Sequence, residues 1–88
     1  MISERYIQGP TNHVKFGCEK FGIDYRRRYY GNGVHFTYIL VRREKHPDEY
    51  IELGPIQTGF STESGDCQAT HKLTVKEVKE IVTTALRN

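Results

Sequence analysis

The stretch Asp24–Phe36, DYRRRYYGNGVHF, decides how this chain folds. Asn32-Gly33 is among the strongest short hairpin signals, because a type I′ turn needs positive φ at both central residues and Asn and Gly tolerate it. A two-residue turn there pairs Gly31 with Val34, Tyr29 with Phe36, Arg27 with Tyr38 and Tyr25 with Leu40. Ile23, Tyr25, Tyr29, Phe36, Tyr38 and Leu40 then share one side of the pleat, with Arg27 as the intruder. The other side carries Asp24, Arg26, Arg28, Tyr30, His35, Thr37, Ile39 and Val41. A three-residue loop, GNG, slips the register by one and sends Arg26 and Arg28 to the side of Phe36 and Tyr38. The two-residue turn is preferred at this point because it separates apolar from charged residues better.

Outward from the hairpin, the same period of two recurs. HVKFGC sets Val14, Phe16 and Cys18 on one side, a short strand after the Gly9-Pro10 turn. After a polar loop, EKHPD, the segment YIELG alternates Ile51 and Leu53 with Tyr50 and Glu52 and reads as a third antiparallel strand. Ile56, Thr58 and Phe60 alternate again, STESGD is an exposed loop, and QATHKL returns as a last strand.

The period then changes. LTVKEVKEIVTTALRN places Val75, Val78, Val82 and Ala85 on one helical stripe, widened by Ile81 and Leu86, with Lys76, Lys79 and Glu80 turned away. Thr74 and Glu77 form a capping box, and Leu73 and Val78 occupy the positions of a hydrophobic staple. The expected architecture is α+β: an antiparallel meander of four to five strands with one C-terminal helix packed on one face. The stripe is expected to cover Tyr25, Phe36, Leu40, Ile51 and Leu53, leaving the arginine side wet.

The 88 residues have no internal repeat and no linker that would split them, so 1–88 reads as a single domain. A chain this short buries only about two thirds of the surface it exposes when unfolded, which argues against a deep cleft with its own core. No apolar run reaches the roughly 20 residues of a membrane span, and MISERYIQGP has no signal-peptide core, so the expected location is the cytosol. The net charge of +2 is unevenly placed. Residues 1–45 carry nine Lys or Arg against four acids, and residues 46–88 carry four against seven. This dipole concerns steering and docking and names no partner.

His13, Cys18, Cys67 and His71 offer two thiolates and two imidazoles, the sharpest chemical constellation in the chain. His13 and Cys18 are five residues apart and on a regular strand point to opposite sides, and there is no compact Cys-x-x-Cys turn. Buried free cysteines and surface histidines are therefore preferred over a zinc-stabilised domain, and no cofactor is expected. No glycine-rich phosphate loop opens the helix, and pairings such as Cys67 with His71 or His35 with Glu52 arise easily by chance, so no catalysis is expected.

What remains is binding. Arg26, Arg28, Tyr30 and His35 form the expected contact surface, with Arg42, Arg43 and Lys45 supplying long-range attraction. Tyr and Arg carry a disproportionate share of interface energy. The leading expectation is a small inhibitor, adaptor or accessory protein, of phage or mobile-element type, acting on a protein or nucleoprotein partner. The alternative is direct RNA or single-stranded DNA binding, with guanidinium forks on phosphates and tyrosine rings under bases. A free strand edge offers a route to a homodimer.

Overall fold

The computed structural model describes residues 3–7, 9–29, 33–61 and 64–88. In chain order its elements are β1 (Ser3–Ile7), β2 (His13–Phe16), β3 (Glu19–Tyr29), β4 (Val34–Arg43), β5 (His46–Ser61), β6 (Cys67–Ala69) and α1 (Val75–Arg87). All strand pairings are antiparallel. The sheet order is β1-β3-β4-β5-β6, with β2 also on β3. The chain is α+β, as the alternation and the capped stripe imply.

The β3–β4 register departs from the preferred one. Tyr29 pairs with His35, Arg28 with Phe36, Arg27 with Thr37, Arg26 with Tyr38 and Tyr25 with Ile39. This is the register of the three-residue loop. One step of slip turns every β4 side chain over relative to β3. Ile39 and Val41 therefore join Ile23 and Tyr25 beneath the helix, while Phe36, Tyr38 and Leu40 join Arg26 and Arg28 on the opposite face. The physical reason lies in what each face can do with its residues. Two compact β-branched side chains pack under α1, and the aromatic rings meet guanidinium groups outside.

The core of the inner face is Val14, Phe21, Ile23, Tyr25, Ile39 and Val41, closed by Val78 and Val82 of the helix. Both helix valines are fully buried, each such side chain contributing about 1.5–3 kcal/mol. Thr74 caps the helix as its spacing implies, its hydroxyl accepting from the Glu77 N–H at 3.1 Å. Val75 departs from the expected stripe and is 42% exposed. Phe36 and Leu40 are not under the helix, and Ile51 is 42% exposed, whereas Leu53 packs against the core.

Two further strands frame this core. β1 pairs residues 25–29 of β3 and β2 pairs residues 19–22, so the two lie in tandem along one edge. Between them the Ile23 N–H reaches out to the Asn12 carbonyl at 2.9 Å, and Gly9 comes against the Tyr25 ring. On the other side β5 starts at His46, inside the expected EKHPD loop, and continues past Pro55. The ladder absorbs Pro55 at an irregularity opposite Tyr38, where the register passes from Ile39–Leu53 to Thr37–Ile56. Gly54 there has φ of 131°, a conformation closed to ordinary side chains, and a Cβ would lie 3.1 Å from the Thr37 carbonyl oxygen.

Candidate functional site

The outer face of the sheet is built from alternate residues of three strands. β3 contributes Asp24, Arg26 and Arg28, β4 contributes Phe36, Tyr38, Leu40 and Arg42, and β5 contributes Tyr50 and Glu52. The guanidinium carbons of Arg28 and Arg26 stand 4.9 Å and 5.7 Å from the Tyr38 ring centroid, flanking it from β3. Arg26 also pairs with the Glu52 carboxylate across the sheet. At the far end Arg42 lies 5.1 Å from the Tyr50 ring centroid, 3.7 Å from the Asp24 carboxylate, and donates to the Pro47 carbonyl at 2.8 Å.

Leu40 is 1% exposed although no second layer covers this face among the described residues. The Nε atoms of Arg26 and Arg28 are buried on the same face, as stems lying along a sheet would have them. The face is thus a mixed arrangement of Arg, Tyr and carboxylate groups rather than a bare cationic patch.

The expected contact residues are dispersed. Arg26, Arg28 and Arg42 lie on the outer face. Tyr30 falls outside the described residues. His35, expected on the wet side, is only 8% exposed on the inner face, where it bonds Ser61 Oγ at 2.6 Å and meets the Tyr29 ring at 4.7 Å with the planes tilted by 47°. The register slip is the cause, since it carries His35 inward with Ile39 and Val41.

Arg43 lies on the opposite pleat side from Arg42 and holds Glu19 with two bonds of 3.0 Å, with Glu49 at 3.4 Å. The Glu19 carboxylate raises the Arg43 guanidinium pKa further above its ordinary value. Lys45 is exposed in the β4–β5 turn. Sequence reasoning missed Tyr38 and Tyr50 as partners of the arginines. The three-residue GNG reading held the signal for Tyr38, which it places on the arginine side.

The four candidate metal ligands are not brought together. Cys18, expected on the Val14 side, is exposed in the turn after β2, and Cys67 is exposed on β6. His71 Nε2 is 2.8 Å from Glu77. Among the described residues, no three His, Cys, Asp or Glu side chains form a group that could hold a metal ion.

The inner face has a second, polar half. Beyond Tyr25 and Ile39 the same pleat side continues as Arg27 and Tyr29 on β3 and Thr37 and His35 on β4. Thr37 is 2% exposed and its hydroxyl meets that of Thr58 at 2.8 Å. Ser61, which bonds His35, lies 3.6 Å from Cys67 Sγ. No helix among the described residues is long and apolar enough to cross a membrane. Comparison with protein-family models, curated proteins and solved structures finds no match for this chain.

Proposed function

We propose that this chain is a non-catalytic binding protein, an inhibitor or accessory subunit that docks a protein or nucleoprotein partner on the outer face of its sheet. The observation that carries the reading is Tyr38 flanked by Arg26 and Arg28, with Arg42 beside the 56% exposed Tyr50 on the same face. Stacked Arg and Tyr side chains are already ordered, so a partner meets them at reduced entropic cost. Glu52 and Asp24 among the arginines favour a partner of mixed charge over a bare phosphate chain. Nucleic acid would have to compete with both carboxylates for the guanidinium groups.

The test is a pull-down from native lysate, with and without nuclease, comparing the natural chain with an Arg28→Glu/Tyr38→Ala double variant whose folding is checked by circular dichroism. Partners kept through nuclease treatment and lost by the folded double variant support the proposal. A folded double variant that keeps every partner with unchanged affinity refutes it. Loss of all partners on nuclease treatment, with steep weakening of oligonucleotide binding as salt rises, transfers the site to nucleic acid.

A further inference from the structure

Independently of the outer face, the polar half of the inner face borders a half-open cavity of about 270 Å³. Its floor is the sheet, with Tyr25, Arg27, His35, Thr37 and Thr58. Its walls are the Gly9-Pro10 turn on one side and the Cys67–Ala69 strand with Leu73 on the other. Among the described residues, none of those lining it is acidic.

Most polar groups of the floor satisfy one another. His35 bonds Ser61 and Thr37 bonds Thr58. Two do not. Arg27 has neither an ion pair nor a hydrogen bond among the described residues, in contrast to Arg26, Arg42 and Arg43. The Tyr25 hydroxyl is buried and its O–H has no acceptor among the described residues. A half-buried guanidinium and a buried hydroxyl beside one cavity are both donors in want of an acceptor.

We propose that this cavity binds a small molecule through an oxyanion group, a carboxylate or a phosphate, gripped by the planar fork of Arg27 and assisted by the Tyr25 hydroxyl. Arginine fits such groups with two parallel charge-assisted bonds. A volume of about 270 Å³ lies below that of pockets for drug-sized ligands, so the ligand is a small acid or phosphate ester rather than a nucleotide. The apolar end of the cavity, at Leu73 and Ala69, takes a short hydrocarbon part.

The experiment is an NMR titration of the full chain, following backbone amides and arginine Nε–Hε signals, with sodium phosphate, sodium succinate and sodium chloride at matched ionic strength. Saturable shifts at Arg27 Nε–Hε and the Thr37 and Thr58 amides are expected with phosphate or succinate and not with chloride. Whichever anion binds identifies the oxyanion class. Arg27→Gln is expected to weaken binding at least about tenfold, the loss of a charge-assisted bond. Arg87→Gln at the end of α1 leaves binding unchanged.

Should Arg27→Gln unfold, Arg27→Lys keeps the charge and loses the fork, and Tyr25→Phe removes one hydroxyl. Both are expected to bind more weakly than the natural chain. The proposal is overturned by equal shifts in chloride, by no saturable shift with either oxyanion, or by folded Arg27 and Tyr25 variants that bind as tightly as the natural chain.

Discussion

Replacing Gly9 by alanine tests the junction between β1 and β2 with a single methyl group. A Cβ built on Gly9 falls 1.8, 2.1 and 2.3 Å from three atoms of the Tyr25 ring. Carbon atoms rest at about 3.5–4.0 Å, so ring and backbone must part by well over an ångström. Neither side gives way easily. Tyr25 is 2% exposed and packed into the core, where density matches that of organic crystals. If the Gly9 backbone retreats instead, it pulls on the Ile7–Tyr25 pair that ends β1 and on the Asn12 carbonyl that receives the Ile23 N–H.

Overpacking costs about 1–3 kcal/mol, and a contact this close belongs at the upper end, about 2–3 kcal/mol. For a domain of this size that lowers the Tm by roughly 10–20 °C. Urea and thermal unfolding of Gly9→Ala measure it directly. The same substitution in a Tyr25→Leu background, where the ring is gone, is expected to cost much less, giving a coupling energy above about 1 kcal/mol. A Gly9→Ala chain within about 0.5 kcal/mol of the natural one, the range of indifferent surface changes, would refute the close packing of the turn on the ring.

Three further outcomes follow from particular contacts. Burial raises the Tyr25 phenol above its ordinary pKa of 10.0, an effect that the Thr11 backbone only partly offsets. The unfolded chain therefore ionises first, and this contribution to stability is whole below pH 10.0 and lost as pH rises through the folded value. The stability gap between the natural chain and Tyr25→Phe, from urea midpoints, should shift against the natural chain above that pH, and a flat gap would exclude the effect. Thr74→Ala removes the helix cap and should cost about 1 kcal/mol, whereas Thr74→Ser should be near neutral; equal losses would remove the cap from the account. Val82→Ala, at 0% exposure, should cost about 2–3 kcal/mol, and Val75→Ala, at 42%, under about 0.5. Matching losses in denaturant would show the helix docked by a different stripe.

The helix was legible because three independent signals agree on its start: a capping box, a staple and an apolar stripe. The hairpin was legible too, but its register was not. Asn32-Gly33 and Gly31-Asn32-Gly33 are both sound turn sequences, and they differ by the one residue that inverts a strand. Alternation normally decides such a case, but β4 is apolar on both sides. Ile39 is 0% exposed beneath the helix and Leu40 is 1% exposed on the opposite face. A strand buried on both faces leaves no polar side to set its register.

β1, SERYI, is a short edge strand with two charges and shows no pattern to read. β5 begins within the expected EKHPD loop, with Pro47 near the strand's start and Pro55 at an irregularity, two positions where a missing N–H is tolerated. The cavity was hidden for a related reason. Its residues are scattered over β3, β4, β5 and β6, and only the slipped register puts Thr37 and His35 on the side of Arg27.

The three consecutive arginines make the division of labour plain. The pleat sends Arg26 and Arg28 outward and Arg27 inward, and the two environments differ in what they ask of a positive charge. Outside, Glu52 balances Arg26, and the Tyr38 ring lies close to both guanidinium groups, 5.7 Å from Arg26 and 4.9 Å from Arg28. Stability alone accounts for long cationic side chains there, so their charge bears on function only through what a partner adds. Inside, an uncharged chain of similar length would serve packing around the cavity as well as Arg27 does, because no acid balances its guanidinium among the described residues. Burying half of a charge without a counter-ion opposes folding. Folding therefore supplies a reason for the two arginines on the outer face and none for the charge of the third, and that is why an acceptor from outside the chain is sought at Arg27.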